Sequence, residues 1–162
     1  MKSFQKILGI IILVSLVLSS CFKIVTYPEV PQVTFNYFVI RDSVDILGNR
    51  VLNGTLSFNF VDGDGDIGFD TIGERKNTIF LDKYKIENGV AIKLELLVPL
   101  SFYVPKFVKT GNNKTLKGEM IVNDLNEYYP LDYDTIMYKF YIIDRAGNKS
   151  NIDSTGYISL LR

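Results

Sequence analysis

Histidine and tryptophan are absent from this chain, and cysteine occurs once, at Cys21. The first absence removes the commonest general base and the commonest transition-metal ligand. The second removes the largest ring for stacking against a sugar or an apolar ligand. A single cysteine excludes an internal disulfide, so a folded domain must stand on its core. No charge of one sign dominates: 18 basic residues face 18 acidic ones, with the lysines spread among aspartates and glutamates. The basic stripe expected of a nucleic-acid binder is therefore missing.

What is present begins at the N-terminus. Lys2 and Lys6 precede an apolar stretch from Ile7 to Leu18, and Leu18-Ser19-Ser20-Cys21 closes it. Charged start, apolar middle and small residues at the end follow the order of a secretory signal. The apolar segment between Lys6 and Lys23 is shorter than the roughly 20 residues needed to span a bilayer. The run into Cys21 resembles the lipobox of bacterial lipoproteins. That resemblance implies cleavage before Cys21, a diacylglyceryl thioether on its sulfur and an acyl chain such as palmitate on its amine. Two or more chains make a stable membrane anchor. The expected organisation is a signal peptide over 1–20, a lipid anchor and tether over 21–32 and one domain over 33–162. Pro28 and Pro31 keep the tether extended.

From Val33 onward, short β-branched and aromatic runs alternate with Gly, Asn, Asp and Pro, the pattern of an all-β domain. In Thr55 to Val61, Leu56, Phe58 and Phe60 alternate with Thr55, Ser57 and Asn59, giving one core face and one wet face. Further strands are expected over Val33 to Val44, Thr78 to Ile86, Val90 to Val98, Leu116 to Val122, Thr135 to Ile143 and Ile152 to Leu160. Glu87-Asn88-Gly89 predicts a tight hairpin, because Asn and Gly tolerate positive φ. Seven such strands predict an antiparallel sandwich of immunoglobulin or fibronectin III type, with a closed barrel as the alternative. Tyr138 reads as a core or corner tyrosine whose hydroxyl holds a turn.

The most distinctive chemistry lies in Asp62-Gly63-Asp64-Gly65-Asp66-Ile67-Gly68. Three carboxylates at alternate positions repel one another unless a cation lies among them, and the glycines let the backbone curl around one centre. Calcium takes six to eight oxygens, of which this loop can supply about half. Asp70 is a further oxygen donor in reach. The spacing is not an EF-hand, because Ile67 stands at the turn-glycine position and Gly73 at the bidentate glutamate position. The competing reading is a solvated turn in which each aspartate accepts backbone N–H groups. In an antiparallel sandwich the loops after the second and sixth expected strands gather at one end. Asp144 and Asn148 are thus expected to complete a calcium shell begun by Asp62, Asp64 and Asp66, at the end where the tether enters.

Together, the lipobox, the Phe60-to-Gly68 loop and the Asp144-Arg145-Ala146-Gly147-Asn148-Lys149-Ser150-Asn151 turn resemble small uncharacterised lipoproteins of Bacteroidetes-type bacteria. The turn is also similar to the Asp-x-Ala-Gly-Asn loop of bacterial immunoglobulin-like repeats. The resemblance implies a cell-envelope location and a β-sandwich, and it brings no activity with it. Phe22-Lys23-Ile24-Val25-Thr26 lacks the acidic residues that mark surface export in such lipoproteins, which favours an outer-membrane anchor facing the periplasm.

The function expected from these residues is a non-catalytic binding or structural module, held to the membrane by lipid and offering a surface to an envelope protein or a glycan. Phe102, Tyr103, Phe107, Tyr128, Tyr129 and Tyr133 are candidates for that surface, with core packing as their alternative role. Calcium-dependent adhesion or glycan binding is the alternative function. A hydrolase is the weaker one: Phe58-Asn59-Phe60-Val61-Asp62-Gly63-Asp64 superficially resembles the haloacid-dehalogenase nucleophile motif but lacks that chemistry's α/β context.

Overall fold

The computed structural model describes residues 26–70, 76–107 and 114–161, together with residue 5. Cys21 and, apart from residue 5, the expected signal peptide lie outside the described residues. Among those described, no helix is long and apolar enough to cross a membrane.

The described residues form nine strands: β1 (Gln32–Val44), β2 (Arg50–Asp62), β3 (Ile79–Glu87), β4 (Val90–Lys93), β5 (Leu100–Phe102), β6 (Leu116–Tyr128), β7 (Thr135–Ile142), β8 (Asp153–Ser154) and β9 (Ile158–Ser159). They build two antiparallel sheets. One has the order β1-β2-β6; the other has the order β4-β3-β7-β8, with β5 pairing β3 and β9 pairing β7. The all-β, sandwich-like architecture agrees with the alternation in the sequence. Apolar residues of the two sheets meet in one core, where Phe58 of β2 lies 4.8 Å from Phe140 of β7 and Phe38 of β1 stacks 5.7 Å from Tyr138 of β7. Removing each such ring from water contributes about 2–3 kcal/mol. The Asn88-Gly89 hairpin forms as expected, both residues having positive φ between Glu87 and Val90.

Four expected strands differ from the observed ones. The second begins at Arg50 rather than Thr55, because Asn53-Gly54 lies inside the strand. A Cβ on Gly54 would come within 2.6 Å of the Phe38 ring and 2.9 Å of the Leu125 carbonyl, so glycine admits both neighbours. The strand from Leu116 runs to Tyr128 rather than Val122. A bulge with Asp124 at φ 61° shifts the register between Gly54 and Leu56 and returns Leu125 and Glu127 to the core face. The strand from Val90 ends at Lys93, and its apolar continuation leaves the sheet before pairing resumes as β5. The last strand is split into β8 and β9, with Gly156 at φ 69° between them.

Candidate metal site

Asp62 is the last residue of β2 and Asp144 follows β7 by two positions, so each sheet delivers one carboxylate to the same end of the sandwich. The loop after Asp62 is held from three sides. Gly63 N–H donates to the Pro28 carbonyl at 2.9 Å, the Thr115 hydroxyl donates to the Gly63 carbonyl at 3.2 Å, and Arg145 Nη1 donates to the Ile67 and Gly68 carbonyls at 3.3 and 2.9 Å. Gly63 has no room for a side chain, since a Cβ would lie 2.3 Å from the Tyr27 carbonyl oxygen. Ile67, fully buried, plugs the loop into the core. Beyond it, Phe69 N–H donates to Val104 and Lys106 N–H to Phe69, securing the loop's exit.

These ties bring one carboxylate oxygen each from Asp62, Asp66 and Asp144 within 4.8 Å of one another. Oxygens about 2.4 Å from a common calcium are separated by no more than about 4.8 Å, so the triad meets that limit and could hold an ion such as calcium. Asp62 is 0% exposed and Asp144 1%. Asp62 Oδ2 accepts the Asp66 N–H at 2.8 Å, and Asp66 Oδ2 accepts the Ala146 N–H at 3.0 Å. Oδ1 of Asp62 and Oδ1 of Asp66 are buried and receive no hydrogen bond. Burial, with help from the Asp64 and Asp66 carboxylates, pushes the Asp62 carboxyl up to about 6. Burial and the neighbouring Asp144 raise Asp66 in the same direction. Buried carboxylates that each keep one oxygen without a donor and raise one another's pKa are disfavoured as anions until a cation joins them.

The residues singled out in the sequence divide as follows. Asp62, Asp66 and Asp144 converge. Asp64 lies beside them, close enough for its carboxyl to help raise that of Asp62. Asn148 orients Asp144: its backbone N–H donates to Oδ1 at 2.7 Å and its Nδ2 to Oδ2 at 2.8 Å. Asp70 turns away and pairs with Lys106 at 3.2 Å.

The aromatic candidates also divide. Phe102 and Tyr133 pack against the core, the Tyr103 hydroxyl donates to the Phe69 carbonyl, and Phe107 stacks 6.3 Å from Phe60. Tyr128 and Tyr129 are exposed.

A polar cluster between the sheets was not anticipated. Buried Lys83 of β3 lies 2.6 Å from Glu127 of β6, and the Tyr133 and Tyr138 hydroxyls each donate to Glu127 at 3.1 Å. Tyr138 is thus a core residue whose hydroxyl ties the sheets together rather than a turn. Strand parity is the signal for this cluster, since Lys83 shares a face with Ile79 and Leu81.

No protein-family model, no curated protein and no solved structure matches this chain.

Proposed function

We propose that this chain is a lipid-anchored cell-envelope module that binds or braces rather than catalyses, with calcium stiffening the end next to its anchor. The observation that carries the calcium reading is the Asp62 carboxylate, sealed from water, with Oδ1 lacking a donor and one oxygen within 4.8 Å of oxygens of Asp66 and Asp144. A sealed carboxylate suits an ion and bars a substrate. Three carboxylates with oxygens at this spacing suit a hard, oxygen-seeking cation, and Asp64 and backbone carbonyls can add to the shell.

The anchor is supported by the Leu18-Ser19-Ser20-Cys21 lipobox, and an outer-membrane position facing the periplasm by the non-acidic residues after Cys21. The immunoglobulin or fibronectin III-like reading, and with it the likeness to small Bacteroidetes-type lipoproteins, is supported by the sheet orders β1-β2-β6 and β4-β3-β7-β8. Pro28, which leads to Cys21, is bonded to Gly63 in the acidic loop. Calcium there would join both sheets and the tether at one point, and an envelope protein or glycan would meet the opposite end.

Thermal melting of the full chain in calcium and in chelator tests the metal. Calcium is expected to raise the midpoint by about 5–10 °C, and Asp144→Asn to abolish most of that rise. An unchanged midpoint overturns the metal. Mass spectrometry of the chain from its native host tests the anchor, which an unmodified Cys21 thiol or a retained leader overturns.

A further inference from the structure

The two edges of the three-stranded sheet are treated differently. At the β1 edge, Asn151 exchanges two hydrogen bonds with the Val33 backbone, at 2.8 and 2.9 Å, and Asp153 accepts the Phe35 N–H at 2.7 Å. Side chains from the other sheet therefore close that side of the sandwich. At the opposite edge, β6 pairs with β2 alone among the described residues. Unpaired strand N–H and C=O groups are a template for another strand unless something covers them.

What stands near that edge is a finger of chain. Leu94 N–H still bonds the Lys83 carbonyl, and pairing with β3 resumes at Leu81 with Leu100, so Glu95 to Pro99 leave the sheet opposite Asp82. The tip of the finger is apolar and bare: Leu97 is 104% exposed and Val98 76%. Between it and the Asp124–Tyr128 stretch of β6 lies a cavity of about 500 Å³, walled by Glu95, Leu97, Asp124, Leu125, Lys83 and Tyr138. The cation in this wall, Lys83, is neutralised by Glu127 at 2.6 Å, which leaves the exposed Glu95 and Asp124 carboxylates to set the charge at the opening. Aliphatic side chains held in water beside an open strand edge cost stability unless a partner covers them.

We propose that the outer edge of β6 at Asp124–Tyr128 accepts an additional strand, an extended segment of a partner protein lodged beneath the Glu95–Pro99 finger. The backbone edge selects another backbone. The finger selects apolar side chains at alternate positions, and Glu95 with Asp124 select a basic residue among them. This site lies at the end of the sandwich away from the acidic loop and stands independently of calcium.

The probe is a synthetic peptide of about ten residues alternating lysine and valine, added to the full chain. It is expected to bind at micromolar concentration and to slow amide exchange of residues 124–128 by about fivefold or more. Leu97→Ser combined with Val98→Ser, both on the exposed tip, should weaken binding by about tenfold or more, as should N-methylation of every second peptide amide. Absence of binding at about 1 mM overturns the proposal, as does equal binding of the N-methylated peptide or protection appearing on β1 or β4 instead. Dimerisation of the chain alone through this edge also overturns it, because the occupant would then be a second copy.

Discussion

At the scale of single residues, buried charge is the dominant problem, and the two ends of the sandwich solve it differently. Glu127 is neutralised inside the protein by the Lys83 ammonium and two tyrosine hydroxyls. Such a pair adds little net stability, since desolvation offsets much of the attraction, but removing one partner strands the other. Asp62 has carboxylates for neighbours instead, which is the arrangement a bound cation relieves. The Tyr138 hydroxyl sits against Glu127, and burial, together with that charge, holds its pKa far above the usual 10.0. Above about pH 10 the unfolded chain releases this proton while the folded chain keeps it, so stability is complete below pH 10 and falls as pH rises, by about 1.4 kcal/mol per pH unit. Urea titrations between pH 9 and 11.5 should show that decline, and Tyr138→Phe should flatten it; an equally steep decline in the variant would contradict the assignment.

At the scale of elements, Gly63 is where the Tyr27–Pro28 segment, expected to be a tether, meets β2 and the acidic loop, because its N–H bonds Pro28 and its missing side chain lets the Tyr27 carbonyl approach. Gly63→Ala must push the tether away. The expected loss is about 1–3 kcal/mol of stability, with faster protease cleavage near Tyr27 than in the native chain. Unchanged cleavage would mean that the tether is held elsewhere.

The extents of β2 and β6 belong to the same scale. Asn53-Gly54 stands just before the strand expected from Thr55, and Asn123-Asp124 just after the one expected to end at Val122. Both features are internal to strands, because Gly54 admits the Phe38 ring and the Asp124 bulge resets parity so that Leu125 and Glu127 face the core again. Alternation within one strand cannot reveal a bulge, since the extra residue is defined only by its partner across the ladder. The apolar run Leu94 to Val98 misleads in the opposite sense: it has the composition of a strand and the exposure of a loop.

At the scale of the whole molecule, the sandwich is closed at the acidic-loop end by loops and side chains from both sheets and, among the described residues, is open along β6. A cation at Asp62, Asp66 and Asp144 would bridge the sheets at the closed end only. Amide exchange measured in calcium and in chelator should therefore slow near Asp62 and Asp144 on adding the ion while leaving Asp124–Tyr128 unaffected by local opening. Equal protection at both ends would instead mean that the sheets respond as a single unit.

The sequence by itself determined the all-β class, the strand periodicities, the Asn88-Gly89 turn and the unusual charge of the Asp62–Asp66 loop, because each is written in neighbouring residues through backbone propensity and alternation. Only the tertiary structure decided that Asp62, Asp66 and Asp144 converge while Asp70 does not, that Lys83 finds Glu127, and that one sheet edge is capped while the other, among the described residues, stays open. Those outcomes depend on register and on sheet packing between segments far apart in the chain, where a shift of one residue sends every side chain to the other face.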